Sequence, residues 1–257
     1  MSGSTYLITG ANKGIGRAMV QHLLQRANTT VVAGVRQPDD PSSVSLHSLP
    51  TSENCRIVVL QLRDSDDFAA LAARLAQESI THLDVVVANA GSSTGLGKSL
   101  METDAEDVIG DCMANAAGPL RLFKATWPLM EASIKRKTAS APLPTRYILI
   151  SSTMGSIVIQ DAESMPVGVS YGMSKAAANW FAKKASLDFK AEGLVVGILH
   201  PGWVQTSMGQ AVADALGIKE PPITPEKCAW DCLAQIDDWT TEKTGKFLTY
   251  QGQEIPW

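Results

Sequence analysis

Residues Thr9-Gly10-Ala11-Asn12-Lys13-Gly14-Ile15-Gly16 follow a short apolar run, Tyr6-Leu7-Ile8, and open an amphipathic run from Ile15 to Leu24. A glycine motif between a strand and a helix indicates a turn that holds phosphate. Gly10 permits the tight turn, Gly14 lets a pyrophosphate approach the main chain, and Gly16 lets the helix pack close to its strand. The amino end of the helix offers free N–H groups and partial positive charge. The alternative is an ordinary glycine-rich turn.

The composition is typical of a soluble globular protein, and 257 residues suffice for one large domain or two small ones. The net charge of −4 comes without a large basic block, so nucleic-acid binding is not expected. No apolar run reaches the roughly 18 residues of a membrane span, and residues 6–8 are too short for the core of a signal peptide. We therefore expect a cytoplasmic protein without a membrane partner.

Two cysteines, Cys228 and Cys232, lie four residues apart on a predicted helix and so share one face. A metal site would need further ligands, and no partner cluster of cysteine or histidine is present in the sequence. We therefore predict that both are small buried core residues and that the protein holds no metal.

Apolar, β-branched runs alternate with amphipathic ones along the chain, which predicts a parallel sheet covered by helices. Residues 37–54 are rich in Pro, Ser and Asp and predict a loop with a short helix at most. The predicted fold is α/β: a single doubly wound Rossmann-type domain over 1–257, with a parallel sheet of about seven strands and helices on both faces. The predicted strands are 6–8, 30–35, 56–61, 84–88, 147–150, 194–199 and 245–249.

Polar and proline residues predict where helices begin. Ser65 is a candidate N-cap for a helix over 66–77, and Thr103 with Glu106 forms a candidate capping box for a long helix over 104–130. Thr224 with Pro225 places a cap before a proline in the first turn.

The end of the second predicted strand bears on the choice of coenzyme. Val35 stands where an acidic residue would bind a ribose 2′-hydroxyl, and Arg36 follows it. An arginine there suits a 2′-phosphate, and Lys13 adds a second positive charge nearby. The alternative is a solvated loop arginine.

Tyr171 and Lys175 are four residues apart and project from one face of a helix predicted to run to about 191. A phenol with an ordinary pKa near 10 is a poor acid at neutral pH, and a nearby ammonium lowers that pKa. Ser152, at the end of the fifth predicted strand, can hold a substrate oxygen. The alternative is that Tyr171 and Lys175 form an ordinary surface pair on a helix. The glycine turn upstream and Ser151-Ser152 at the end of a strand count against this alternative.

Five motifs in order resemble those of the short-chain dehydrogenase/reductase family, over residues 4–257. The first is T-G-x-x-x-G-x-G, and the fourth is the Ser152, Tyr171 and Lys175 set. The ending from Phe247 to Trp257, FLTYQGQEIPW, resembles that of the sniffer-like or C-factor-like carbonyl reductase branch, with fungal ketoreductases nearby. The other motifs are N-A-G at Asn89, Ala90 and Gly91, a helical Asn115, and P-G-x-V-x-T at Pro201, Gly202, Val204 and Thr206.

The resemblance implies an oxidoreductase that uses NADP(H) to reduce a small-molecule ketone or aldehyde, or to run the reverse oxidation. Tyr171 would be the general acid/base, Ser152 would orient the oxygen, and Lys175 would lower the Tyr171 pKa and bind the nicotinamide ribose. Asn115 would hold a water that passes protons to Lys175, and His200 would be a structural neighbour. The implied cofactor-binding residues are Gly10, Asn12, Lys13, Gly14, Ile15, Gly16, Arg36, Leu62, Asn89, Ala90, Gly91, Tyr171, Lys175, Pro201, Gly202, Val204 and Thr206.

The chain departs from the family pattern between Ser152 and Tyr171, where the connection is longer than in many members. The added piece lies within 157–170, beside the expected substrate pocket, and residues 207–223 look mobile and predict a substrate lid. Two other functions stay open: a non-redox enzyme of this fold, such as an isomerase, dehydratase or cyclase, and an NADPH-sensing regulatory protein.

The long helices over 104–130 and 170–191 are those that pair in family dimers and tetramers. They carry the aromatic residues Trp127, Trp180 and Phe181, and interfaces favour aromatic residues. We therefore expect a homodimer or homotetramer. The alternative is that these rings face the core.

Overall fold

One seven-stranded parallel sheet organises the computed structural model over its described residues, 3–63, 65–136, 143–160 and 168–257. The strands are β1 Ser4–Thr9, β2 Thr29–Val35, β3 Arg56–Gln61, β4 Val85–Ala88, β5 Arg146–Ile150, β6 Val195–His200 and β7 Phe247–Thr249. Their order in the sheet is β3-β2-β1-β4-β5-β6-β7, so the winding reverses between β1 and β4, where ligands of such folds bind. The predicted fold is confirmed, and the strand ends differ from the predictions by at most two residues.

Helices cover both faces of the sheet, because alternate side chains of each strand point to opposite sides. In β1, Tyr6 and Ile8 join a core packed against α1 and α8, whereas Leu7 joins a core packed against α3, α5 and α6. The helices are α1 Gly14–Leu23, α2 Pro41–Val44, α3 Ser65–Gln77, α4 Ala105–Cys112, α5 Gly118–Arg136, α6 Val169–Asp188, α7 Ser207–Ala215 and α8 Pro225–Asp237.

The predicted long helix over 104–130 is interrupted. A five-residue π-helical turn, Met113–Ala117, separates α4 from α5. Such turns are rare and occur mostly as single bulges at functional sites. This turn carries Asn115, so the irregularity falls on a predicted site residue.

One of the predicted helix starts holds and two are displaced by one residue. The hydroxyl of Thr224 accepts from the Lys227 N–H at 3.2 Å, which confirms that cap. The helix α3 begins at Ser65 itself, so Ser65 is the first helical residue and not the predicted N-cap. The predicted capping box at Thr103 is wrong by one residue. The N-cap is Asp104, whose N–H donates to Asp107 Oδ2 at 3.1 Å, because the Thr103 hydroxyl is already bonded to the Ser99 carbonyl.

The segment 207–223 contains a helix that the sequence did not predict. It opens with α7, which Thr206 caps by accepting from the Gly209 N–H at 3.1 Å. Its far end forms a β-bridge between Val204 and Ile223. The side chains Val212 and Ala213 of α7 are buried. The substrate lid expected over 207–223 stays a prediction.

Cys228 and Cys232 are fully buried in the core, as predicted, with their sulfurs 3.8 Å apart. In the described ranges, no helix combines the length and the apolar character that crossing a bilayer requires. The predicted cytoplasmic location stays a prediction.

Candidate active site

The predicted site residues converge at the carboxyl ends of the central strands. The phosphate turn follows β1, Asn89 follows β4, Ser152 follows β5, and Pro201 follows β6. Carboxyl ends of neighbouring parallel strands meet at one edge of a sheet, so these motifs, scattered along the sequence, form one crevice.

The glycine turn has the shape and polarity of an anion site. Gly10 and Gly14 have φ angles of +65° and +53°, which side chains rarely adopt. A Cβ on Gly16 would lie 2.4 Å from the Gly10 carbonyl oxygen, so the helix and the turn touch through main chain alone. Lys13 precedes α1 without a side-chain cap, and the first turn holds no acidic residue. The N–H groups there are therefore available to a pyrophosphate, and the predicted dinucleotide group fits.

A set of hydrogen bonds that was not predicted from the sequence joins the glycine turn to the segment after β4. The hydroxyl of Thr9 accepts from the main-chain N–H groups of Asn89 and Ala90 at 3.1 and 3.0 Å. The amide of Asn89 donates in turn to the Thr9 carbonyl at 2.9 Å. The pyrophosphate turn and the Asn89–Gly91 segment are thus held together at the point where the winding reverses.

The loop after β2 borders the glycine turn. Asn12 donates to the hydroxyl of Ser42 at 2.8 Å, and Arg17 donates to the Ser42 carbonyl at 3.2 Å, so the loop is fastened to the glycine turn. Arg36 is exposed at the carboxyl end of β2, and its carbonyl accepts from Gln61. Leu62 packs close to Gly34, where a Cβ would lie 2.7 Å from the Leu62 side chain.

The three predicted chemical groups stand together. Ser152 and Tyr171 line the same cavity. Lys175 Nζ lies 5.5 Å from the centre of the Tyr171 ring and donates to the carbonyl of Ile150 at 2.9 Å. Lys175 is 4% exposed, so its ammonium is held by the end of β5 rather than by water.

Burial dominates the electrostatics of this group. It raises the pKa of the Tyr171 phenol to about 12, against a lowering contribution from the Ser152 hydrogen bond. It lowers the pKa of the Lys175 ammonium to about 8. The sequence predicted that Lys175 lowers the pKa of Tyr171, and this is not found. Burial of the phenol has the larger effect on its pKa, and burial also makes Lys175 less readily protonated. The phenol is protonated at neutral pH.

Asn115 sits in the π-helical turn with its side chain fully buried. Its Oδ1 accepts from the Ser92 N–H, and its Nδ2 donates to the Ser92 carbonyl, both at 2.8 Å. Nδ2 also donates to the hydroxyl of Ser174 at 2.9 Å. A Cβ on Gly91 would lie 3.0 Å from Asn115 Oδ1 and 3.7 Å from Lys175 Nζ, so a side chain there would obstruct the crevice.

The segment after β6 closes the other side. Thr206 Cγ2 would lie 3.1 Å from a Cβ on Gly14, so this segment faces the phosphate turn. His200 Nδ1 accepts from the Thr153 N–H at 3.3 Å, and burial lowers the pKa of its ring to about 4. His200 is thus a neutral neighbour of the serine segment, in keeping with the structural role expected of it.

A cavity of about 410 Å³ lies between these groups. Ser152 and Tyr171 line it, and Ile15 and Thr206 extend its lining to the glycine turn and to the segment after β6. Ile159 and Gln160 of the added piece predicted within 157–170 line the cavity, whereas 161–167 lie outside the described residues. The other cavity walls are mostly apolar and include Leu96, Met154, Ile159, Trp203, Met208 and Val212.

Comparison with known proteins agrees with this geometry. The family model described as short chain dehydrogenase matches residues 4–217. The norsolorinic acid ketoreductase nor1 of Dothistroma septosporum is 34% identical over 99% of this chain and 92% of its own length. The NADPH-bound carbonyl reductase from chicken fatty liver has a TM-score of 0.85 at 28% identity, with both chains fully covered. The carbonyl reductase Sniffer of D. melanogaster shares the fold, with a TM-score of 0.83 at 24% identity over 99% of this chain and all of that one.

Proposed function

The chain belongs to the short-chain dehydrogenase/reductase family, and on that premise we propose that it reduces a ketone or aldehyde with NADPH, using Tyr171 as the proton donor. The observation that carries the proposal is one shared cavity: Ser152 and Tyr171 line it together with Ile15 of the phosphate turn and Thr206. A carbonyl carbon placed there would lie between the proton donor and the coenzyme crevice.

Each polar group of the site has a step in this reaction. NADPH supplies the hydride when it is bound. The hydroxyls of Ser152 and Tyr171 hold the substrate carbonyl oxygen, and the Tyr171 phenol delivers its proton there, as general acids do. Its raised pKa keeps that proton in place at neutral pH, which favours reduction. The Lys175 ammonium stabilises the phenolate left behind, and we propose that a water at Asn115 returns the proton.

The coenzyme residues divide by the part of the molecule that they would hold. The turn from Gly10 to Gly16 takes the pyrophosphate, including the main chain at Asn12 and Ile15. Asn89–Gly91 and the 201–206 segment flank the nicotinamide, with Lys175 at its ribose. Arg36 and Lys13 take the 2′-phosphate and Leu62 lies beside the adenine. The NADPH-bound carbonyl reductase of the same fold supports this choice of coenzyme.

The apolar walls of the cavity support a bulky substrate with few polar groups besides the reacting carbonyl, such as an aryl ketone. Apolar surface transferred from water contributes about 25 cal/mol per Å², which rewards such a substrate. The relationship to a norsolorinic acid ketoreductase points the same way.

The test is NADPH oxidation over a panel of carbonyl compounds that spans small dicarbonyls, aldehydes and aryl ketones. Turnover with net loss of NADPH absorbance and formation of the alcohol supports the proposal. Conversion of a substrate without net NADPH consumption would favour the isomerase, dehydratase or cyclase alternative. Tight NADPH binding with no conversion across the panel would favour the regulatory alternative.

We expect the rate of reduction to fall as pH rises through about 8. The lowered pKa of Lys175 means that its ammonium is lost there, while Tyr171 stays protonated to about 12. The measurement is kcat/KM for the carbonyl substrate against pH. The variant Lys175→Arg keeps the positive charge, so its activity, although weaker, should persist above pH 8. If kcat/KM of this variant falls at the same pH as that of the wild type, Lys175 is not the group that titrates.

We also propose a homodimer or homotetramer formed through the helices α4 to α6. Trp127 and Phe181 pack on the core, so the alternative reading holds for them, but Trp180 is 70% exposed. A groove of about 500 Å³ between α5 and α6 lies beside Trp180. A stripe of exposed apolar side chains accompanies it: Ile109, Met113, Leu120, Met173 and Leu187.

Trp180→Glu is therefore expected to convert the oligomer to a smaller species in light scattering, because it places a charge at the centre of this stripe. Trp230→Glu is the matched control, since Trp230 is 64% exposed but lies on α8 against His22. A wild-type protein that is monomeric at micromolar concentration would remove the proposal.

A further inference from the structure

Asp111 is a fully buried carboxylate one helical turn before Asn115, and the reaction described above does not use it. Its Oδ1 accepts from the Thr94 N–H at 2.9 Å, and its Oδ2 accepts from the Ser170 hydroxyl at 2.7 Å. In the described part of the chain, no lysine, arginine or histidine forms an ion pair with it. A buried charge without a cation is costly, so its retention calls for an explanation.

Both hydrogen-bond partners of Asp111 named above, Thr94 and Ser170, lead to the active site. Thr94 belongs to the loop after Asn89–Gly91, and Leu96 in that loop lines the substrate cavity. Ser170 directly precedes Tyr171 in α6. The carboxylate therefore joins the pocket loop to the first turn of the helix that presents the proton donor. The loop packs closely here, because a Cβ on Gly95 would lie 2.9 Å from the Ser170 hydroxyl oxygen.

Building on the proposed carbonyl reduction, we propose that Asp111 is a positioning residue for proton transfer. It fixes Tyr171 relative to the loop that carries Thr94 and Leu96, through its hydrogen bonds to Ser170 and Thr94, and its negative charge acts on the Tyr171–Lys175 pair.

The surrounding charges support this role. The negative charge of Asp111 contributes to raising the pKa of both Tyr171 and Lys175, although burial is the larger influence on each. The neighbouring carboxylate Asp107, one turn earlier in α4, is neutralised by Lys98, whose Nζ lies 2.6 Å from it. Among the described residues of the loop, α4 and α6, Asp111 is thus the carboxylate whose charge acts on both Tyr171 and Lys175.

The test is Asp111→Asn, which keeps an acceptor for Thr94 and a polar partner for Ser170 but removes the charge. Without that charge the Lys175 ammonium is lost at lower pH, so the falling limb of kcat/KM for reduction should move down by about half a pH unit or more. Asp107→Asn is the matched control: it makes the same change on the same helix, and its falling limb should stay at the wild-type pH.

Ser170→Ala separates positioning from charge. It deletes the bond to Oδ2 and keeps the carboxylate, so kcat should fall severalfold at constant KM while the falling limb stays in place. This variant also carries the test if Asp111→Asn does not fold, since an unchanged kcat in Ser170→Ala overturns the positioning claim.

The outcomes separate this inference from the proposed function. Absence of wild-type turnover over the carbonyl panel would contradict the proposed function itself. Two results with an active wild type would overturn the role of Asp111 alone. One is a falling limb in Asp111→Asn at the wild-type pH, and the other is an equal shift of the falling limb in Asp107→Asn.

Discussion

Replacement of Tyr171 by phenylalanine is expected to lower kcat for carbonyl reduction by at least about 10²-fold, the usual scale for loss of a general acid. The ring and its place in the cavity are kept, and only the phenolic proton is removed. A loss of this size corresponds to about 2.7 kcal/mol of transition-state stabilisation. The measurement is steady-state turnover together with the dissociation constant for NADPH, which should change little.

Tyr250→Phe is the matched control for this prediction. Tyr250 is half-buried near Gly202, at the margin of the coenzyme segment, and its hydroxyl has no proposed chemical role. Its loss should leave turnover close to that of the wild type. Near-normal turnover of Tyr171→Phe would place the acid elsewhere in the cavity.

Reversal of the coenzyme preference is the second large effect that we expect. The wild type should prefer NADPH over NADH by at least about tenfold in kcat/KM, since a hydrogen bond to a charged group contributes roughly 1.5–3 kcal/mol. Arg36→Asp should invert that preference, because a carboxylate repels the 2′-phosphate and accepts from the ribose hydroxyls of NADH. The substitution is placed at 36 and not at 35 because Val35 is 1% exposed, and a carboxylate there would be buried in the core.

Two further variants interpret the result. Arg36→Gln removes the attraction without adding repulsion, so its preference should fall between those of the wild type and Arg36→Asp. Arg56→Asp changes an exposed arginine at the opposite end of the neighbouring strand β3, where it pairs with Glu78, and should leave the ratio of NADPH to NADH use unaltered. A wild type that uses both coenzymes equally would mean that Arg36 is an ordinary loop arginine.

The sheet and the place of the motifs could be predicted because the information is local. Strand periodicity, the spacing of Gly10, Gly14 and Gly16, and the four-residue step from Tyr171 to Lys175 each constrain a short piece of chain. The rule that carboxyl ends of parallel strands meet then brought these pieces together without any knowledge of side-chain packing.

The features that could not be predicted from the sequence depend on tertiary packing. The pKa of Tyr171 is set by burial, which no short motif records. The helix α7 forms because Val212 and Ala213 find a place in the core, although the nearby glycines and prolines favour a loop. Asp111 gave no signal, since an acidic residue on an amphipathic helix ordinarily faces solvent.

The π-helical turn at 113–117 has an implication for how the protein can be improved. Each residue in an α-helix rotates the chain by about 100° about the helix axis. The π-helical turn therefore changes the direction of the side chains on its amino-terminal side, in α4. Deleting one residue would restore a regular helix and more favourable main-chain geometry, but it would rotate Asp111 away from Ser170 and Thr94. The same rotation would take the packed face of α4 away from α6. A deletion in this turn should therefore lower stability together with activity, and engineering of this protein should leave the length of the turn unchanged.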